Sequence, residues 1–178
     1  MSTLVKRILL GLLGVLVILQ FFQIDQSNPP VQPEQGLRST VQPPEEVATL
    51  LKNACYDCHS HQTTYPWYAN IQPVGWWLKG HVKEGREHLN FSTWAAYDAD
   101  KRAHKAEESA EEVAEGHMPL KAYPLIHPEA RLTDAQRDRL STWFAALADG
   151  RDISDKIRAK VPKNSLAPVP VQKAAPVQ

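Results

Sequence analysis

Apolar residues recur at helical spacing in four segments of the chain, and this pattern predicts a mostly α-helical fold. The segments cover residues 44–56, 73–89, 99–115 and 133–150, and no stretch shows the alternation expected of a strand. The fourth helix begins with a capping box formed by Thr133 and Gln136. The third carries a stripe of small residues, mainly alanine, which would let a flat partner approach its backbone closely.

The N-terminal segment has the pattern of a membrane anchor or an export signal. Lys6 and Arg7 precede an apolar run from Ile8 to Ile24, whose length is at the lower limit for a transmembrane helix. No clear cleavage site follows, so we predict an uncleaved N-terminal transmembrane helix. The two basic residues would place the N-terminus in the cytoplasm, with the chain held in the bacterial cytoplasmic membrane and the following domain in the periplasm or outside.

Composition divides the chain into four parts. Residues 1–25 are the anchor or signal sequence, 26–43 a Pro-rich tether, 44–150 the folded domain and 151–178 a disordered tail. The folded part is small for a self-sufficient core, so an apolar cofactor would add useful buried surface. The formal net charge of zero suggests no nucleic-acid partner.

Residues 55–59 read Cys-Tyr-Asp-Cys-His and contain both cysteines of the chain. This is the attachment pattern of a c-type haem. The thiols of Cys55 and Cys58 would form thioethers with the two haem vinyl groups, and the imidazole of His59 would be the proximal ligand of the iron. With no further cysteine, the chain would carry one haem c.

Three other chemistries use the same cysteine spacing. A redox dithiol normally follows a strand in a βαβ unit, whereas here a predicted helix precedes the motif. A zinc site could recruit His59, His61 or His81, but no second cysteine pair is present. A plain disulfide would close a very short loop and stabilise little. Haem attachment is therefore the favoured interpretation, with these three as alternatives.

The second axial ligand is predicted to be Met118. Methionine is a common distal ligand in electron-transfer haem proteins, and Met118 is the one methionine besides the initiator. Pro119 would stiffen the loop that presents it after the third helix. The neighbouring His117 is the alternative ligand. The remaining histidines are more simply explained as solvated or hydrogen-bonded side chains.

From Ala54 to Pro128 the chain resembles the haem-binding domain family of bacterial c-type cytochrome-like proteins. The resemblance rests on the following segments: Cys-Tyr-Asp-Cys-His-Ser at 55–60, Tyr-Pro-Trp-Tyr at 65–68, Gln-Pro-Val-Gly-Trp-Trp-Leu at 72–78, His-Val-x-Glu-Gly-Arg at 81–86, Leu-Asn-Phe-Ser-x-Trp at 89–94, Met-Pro at 118–119 and Tyr-Pro-Leu-Ile-His-Pro at 123–128. It implies a cytochrome c-like helical domain around one haem, which is bound through Cys55, Cys58 and His59. Nearby aromatic side chains, with Lys79 and Arg86, could contact the porphyrin or its propionates.

Together these features predict a membrane-anchored monohaem c-type cytochrome that transfers single electrons and is not an enzyme. Its partners would be unidentified redox proteins and the cytochrome c maturation machinery, with the membrane contacted through the N-terminal helix. A haem-based sensor or small-ligand binder is the alternative. A haem peroxidase and a zinc-binding module rank below it.

Overall fold

The computed structural model of the chain describes residues 2–150, so the predicted disordered tail at 151–178 lies outside the described part. Residues 2–150 form helices joined by loops and contain no β-strand. The helices are α1 (Thr3–Leu19), α2 (Leu37–Val41), α3 (Glu45–Ala54), α4 (Tyr56–His59), α5 (Val74–His88), α6 (Ala99–Ala114), α7 (Tyr123–Ile126) and α8 (Asp134–Ala148). Short 3₁₀ segments lie at Pro33–Gln35, Trp67–Asn70, Phe91–Ala96 and Pro128–Ala130.

The mostly helical prediction is confirmed, and the four long helices of the domain lie where the apolar pattern indicates. Their ends follow local chemistry. Asp98 caps α6 by accepting a hydrogen bond from the backbone N–H of Lys101 at 2.8 Å. Thr133 and Gln136 form the predicted capping box at the start of α8. Each cap satisfies backbone N–H groups that a helix start would otherwise leave without partners.

The hydrophobic core forms where α6 packs against α8, with α3 and the segment Phe91–Ala96 beside the pair. The buried side chains of α8 are large and those of α6 are small, so the two helices approach closely. The core contains Leu37, Val47, Leu50, Leu51, Phe91, Trp94, Ala106, Val113, Leu140, Trp143, Phe144 and Ala146. The small-residue stripe of α6 therefore packs against a neighbouring helix and is not left open for a flat partner.

The N-terminal segment corrects the predicted anchor. Within residues 2–150, no helix combines the length and apolar character that a membrane span requires. Helix α1 begins at Thr3, so its 17 residues include the charged Lys6 and Arg7. It ends at Leu19, so the apolar run from Ile8 to Ile24 does not form one continuous helix. At about 1.5 Å per residue, α1 is shorter than the roughly 30 Å hydrocarbon layer. The transmembrane prediction, and the membrane localisation that rested on it, are therefore wrong.

The end of α1 is fixed by contacts with the domain. The side chain of Gln20 donates to the backbone carbonyl of Gln72 at 2.9 Å and accepts from its backbone N–H at 2.9 Å. Gln23 donates to the carbonyl of Asn70 at 3.2 Å. These polar side chains, which interrupt the apolar pattern, join the end of α1 to the folded domain.

The Pro-rich segment 26–43 is also folded against the domain. Leu37, in α2, is 0% exposed and belongs to the core, and Arg38 forms an ion pair with Glu45 at 2.8 Å. Asn28 donates to the carbonyl of Thr63 at 2.8 Å. The folded unit thus begins well before residue 44, and the segment is not an extended tether.

Candidate haem-binding site

The Cys-x-x-Cys-His sequence forms one helical turn directly after α3. Cys55 separates α3 from α4, and its carbonyl accepts hydrogen bonds from the N–H groups of Cys58 at 3.2 Å and His59 at 2.9 Å. Both cysteines are partly buried, and no disulfide joins them. The turn therefore presents two thiols and an imidazole from five consecutive residues, as the sequence predicts.

Helix α5 packs directly against this turn at Gly85. A Cβ atom at Gly85 would lie 2.7 Å from the carbonyl oxygen of Cys58 and 3.2 Å from its Cβ. Only glycine permits this approach without displacing the turn. The sequence marks Gly85 only as part of the family resemblance, because its role depends on a contact between distant segments.

The backbone carbonyls of α5 fix the orientation of His59. Nδ1 of His59 lies 2.9 Å from the carbonyl oxygen of Gly85 and 3.2 Å from that of Leu89. Since a carbonyl can only accept, Nδ1 carries the hydrogen and Nε2 keeps its lone pair. Burial lowers the pKa of His59, which further favours the neutral ring. A neutral imidazole with a free Nε2 is the form that binds iron.

The thiols are held in an apolar environment. Burial raises the pKa of Cys55 to about 12 and that of Cys58 to about 11. A redox dithiol normally has a lowered thiol pKa, so these cysteines do not resemble such a pair. Within residues 2–150, no group of three or more His, Cys, Asp or Glu side chains is assembled to hold a metal ion. The apolar environment of the thiols therefore counts against the dithiol alternative.

Arg86 braces the loop that follows the turn. Its Nε donates to the carbonyl of Ser60 at 2.7 Å, and its guanidinium also donates to Thr63 Oγ1 at 2.8 Å and Asn28 Oδ1 at 2.7 Å. Lys79 donates to the carbonyl of Asp25 at 2.5 Å. Both cations, which the sequence offered as possible partners of haem propionates, donate to protein oxygens. Their structural task is to join α5 to the N-terminal part of the chain.

A cavity of about 10 Å³ lies beside Cys58, between α5 and the loop that contains α7. It is lined by Asp57, Cys58, Thr63, Thr64, Pro66, Tyr68, Leu78, Val82, Tyr123 and His127. The hydroxyl of Tyr123 donates to a carboxylate oxygen of Asp57 at 2.6 Å, which ties α7 to the haem-binding motif. Burial raises the pKa of Tyr123. The cavity has room for about one water molecule and not for a porphyrin.

The elements beside Cys58 expose large apolar side chains. Leu125 and Ile126 of α7 are 76% and 61% exposed, and Trp77 of α5 is 55% exposed. A bound porphyrin would need apolar side chains beside it, and the thiols and the imidazole of the turn are the donors that a covalently attached haem needs. The residues present therefore fit haem.

Met118 and His117 differ in their surroundings. Met118 is half-buried against the hydrophobic core, the core that Cys55 also contacts. Arg137 anchors the Met118 backbone by donating to its carbonyl at 3.0 Å and to that of Val113 at 2.7 Å. His117 is exposed and lies 3.4 Å from Glu115 and 3.6 Å from Glu112. Met118 thus packs against the core, whereas His117 lies at the surface beside two glutamates.

His61, a zinc-ligand candidate in the sequence, has a hydrogen-bonded role. Its Nδ1 lies 3.2 Å from the carbonyl oxygen of Pro30, and its Nε2 lies 2.8 Å from the side-chain amide of Asn90. His81 stacks edge-on against Trp77, with 4.2 Å between ring centroids, and lies 3.6 Å from Glu84. Neither ring joins Cys55, Cys58 and His59.

These features define a helical domain suited to binding haem. A family model described as "Haem-binding domain" matches residues 14–146, and the chain belongs to this haem-binding domain family. A search of curated proteins and a search of solved structures each find no match. The predicted haem cofactor is thus supported at the level of the family, and the match includes most of the N-terminal apolar segment as well as the helical core.

Proposed function

We propose that this protein is a monohaem c-type cytochrome that transfers single electrons. The observation that carries the proposal is the fixed imidazole of His59 in the same turn as two thiols that form no disulfide. A structural histidine often uses both ring nitrogens in hydrogen bonds within the protein, as His61 does. His59 instead directs Nδ1–H at two carbonyls, which favours metal binding through Nε2.

Each residue of the turn has a defined chemical task in this proposal. The S–H groups of Cys55 and Cys58 would add across the two vinyl C=C bonds of a haem, so two thioethers would form and no atom would leave. His59 would hold the iron through the Nε2 lone pair, while the carbonyls of Gly85 and Leu89 keep the ring in place. When bound, the haem supplies a one-electron couple between ferric and ferrous iron. The protein makes and breaks no bond in a substrate, and its partners would be redox proteins together with the maturation machinery that forms the thioethers.

A pyridine haemochrome assay on protein matured in a cytochrome c-competent host tests the attachment. We expect the spectrum of a haem with both vinyl groups saturated, and haem that stays with the polypeptide after denaturation in acidic acetone. One haem per chain is the expected stoichiometry. Haem that is extracted by the solvent would contradict c-type attachment, although it would leave noncovalent haem binding by the family domain intact.

Replacing Met118 by leucine tests the distal ligand. We expect the far-red absorption of a thioether–ferric bond to disappear and the reduction potential to fall, because a thioether favours ferrous iron. Leucine has nearly the same volume, so the half-buried position should still pack, at a cost of less than about 1.5 kcal/mol. The matched control is His117→Gln, which changes the exposed neighbour and should leave the spectrum unchanged.

If the His117→Gln variant loses the wild-type spectrum and Met118→Leu keeps it, the ligand assignment is reversed. Carbon monoxide binding to the reduced wild-type protein separates a carrier from a sensor. A carrier with a firm sixth ligand should bind carbon monoxide slowly or not at all, whereas rapid binding would support the sensor function.

A further inference from the structure

Tyr68, His127 and Glu129 form a hydrogen-bonded chain next to the Cys-x-x-Cys-His turn. The hydroxyl oxygen of Tyr68 lies 2.7 Å from Nε2 of His127, and Nδ1 of His127 lies 3.2 Å from Oε1 of Glu129. The carboxylate accepts from Nδ1–H, so in the neutral imidazole Nε2 carries a lone pair and accepts the Tyr68 hydroxyl hydrogen. The direction of both hydrogen bonds is thereby set.

The hydrogen-bonded chain runs from the half-buried phenol of Tyr68 towards the solvent. The side chain of His127 is 14% exposed, whereas that of Glu129 is 51% exposed. The ring of Tyr123 stacks on the His127 imidazole with 4.3 Å between centroids and 17° between planes, which holds the imidazole in place. Tyr68 and His127 both line the small cavity beside Cys58. The phenol of Tyr68, the imidazole base of His127 and the exposed carboxylate of Glu129 therefore follow one another along the hydrogen-bonded chain.

The size of the cavity limits the chemistry that this chain can perform. A tyrosine with an oriented base can serve as a nucleophile, but a nucleophile needs space for a substrate. The cavity of about 10 Å³ accommodates about one water molecule. Transfer of an electron and a proton from Tyr68 needs no space for a substrate molecule. The geometry therefore favours an oxidation–reduction role for the phenol over covalent catalysis.

We propose that Tyr68 is a redox-active tyrosine. It gives one electron to a strong one-electron oxidant and, in the same step, its hydroxyl proton to Nε2 of His127. The products are a neutral tyrosyl radical and an imidazolium, which Glu129 stabilises by its charge. Re-reduction by one electron returns the proton from His127 to the phenoxyl oxygen. The proposal does not depend on haem attachment, although Cys58 lines the same cavity.

The hydroxyl of Tyr68 faces an imidazole nitrogen, which distinguishes it from Tyr65, Tyr97 and Tyr123. Burial raises the pKa of Tyr68, as it does the pKa values of Tyr56 and Tyr123, so the pKa does not set Tyr68 apart. The hydroxyl of Tyr97 accepts from the backbone N–H of Asn90, and that of Tyr65 lies 3.4 Å from the ammonium of Lys79, so neither faces a base at these contacts. Tyr123 faces a carboxylate, which is a weaker base than imidazole.

Flash oxidation of the purified full-length protein by ruthenium(III) tris-bipyridine, followed by electron paramagnetic resonance, tests the proposal. Ring-deuterated tyrosine separates tyrosyl from tryptophan radicals. We expect Tyr68→Phe to remove most of the tyrosyl signal, whereas the controls Tyr65→Phe and Tyr97→Phe, which lie outside the hydrogen-bonded chain, keep it. A wild-type signal in Tyr68→Phe, or no tyrosyl signal in the wild type, would overturn the assignment.

The base is tested by His127→Asn and Glu129→Gln. We expect radical formation to slow by about 100-fold in His127→Asn, the size of a typical general-base contribution. Glu129→Gln changes a half-exposed side chain, so it should fold normally and slow the reaction less. Formation in the wild type should also slow in D₂O. A rate that neither variant nor D₂O changes would leave the chain a purely structural role and refute the relay. Haemochrome content, measured in parallel, reports separately on haem attachment.

Discussion

The double variant Cys55→Ala, Cys58→Ala will carry no covalent haem when it is produced in a host that matures c-type cytochromes. Both thioether sulfurs are then missing, and the chain has no other cysteine. On a denaturing gel, peroxidase staining for haem should fall from one equivalent per chain to background. This is the largest effect that we expect, because it removes both bonds of the proposed attachment.

The two single variants test each of the two proposed thioethers separately. Cys55→Ala and Cys58→Ala should each permit one thioether, so the haemochrome band should shift towards that of a haem with one unsaturated vinyl group. His61→Gln is the matched control, since His61 lies next to the turn and is hydrogen-bonded to Pro30 and Asn90. Covalent haem in the double variant would show that another residue makes the attachment and would refute the assignment of both thiols.

Replacing Gly85 by alanine will destabilise the domain and reduce haem incorporation, although alanine is the better helix former. The new methyl group would lie 2.7 Å from the carbonyl oxygen of Cys58, a backbone atom that cannot rotate aside. Overpacking of this kind costs typically about 1–3 kcal/mol. The clash also separates the Gly85 carbonyl from His59, so the imidazole loses part of its orientation.

Gly80→Ala is the matched control in the same helix, because a Cβ at Gly80 meets no atom within 4 Å. Here the helix propensity of alanine acts alone and should raise the free energy of unfolding by about 0.5–1 kcal/mol. Chemical denaturation of the two variants and of the wild type measures both changes. Equal stabilisation by the two substitutions would mean that α5 does not press against the cysteine turn.

The sequence predicts the long helices well, because their signals are local. Thr133 and Gln136 set the start of α8 within four residues, and the apolar spacing of Leu140, Trp143 and Phe144 indicates its buried face. The small-residue stripe of α6 is equally visible, but its partner is not. A stripe of small residues indicates that a neighbouring element packs closely against α6, but only the folded structure shows that this element is α8.

The apolar composition of the N-terminal segment led to the wrong prediction of a transmembrane helix, and the reason is physical. Hydropathy alone does not show that α1 ends at Leu19, or that Gln20 and Gln23 hydrogen-bond to residues some fifty positions further along the chain. The same holds for residues 26–43, where prolines and polar side chains suggest an extended linker. A single leucine, Leu37, is buried in the core and brings that segment into the fold.

By itself the sequence determines which donors lie together in the candidate site: the two thiols and the imidazole fall within one turn, where covalent geometry keeps them together. Met118 as a distal ligand stays a prediction, because it is far from the turn in sequence. The tertiary structure decides the rest. Which nitrogen of His59 is free depends on carbonyls of α5, and the chain from Tyr68 through His127 to Glu129 exists only because a distant loop folds against Trp67–Asn70. Hydrogen bonds between segments far apart in sequence leave no local pattern, and so only the folded chain reveals them.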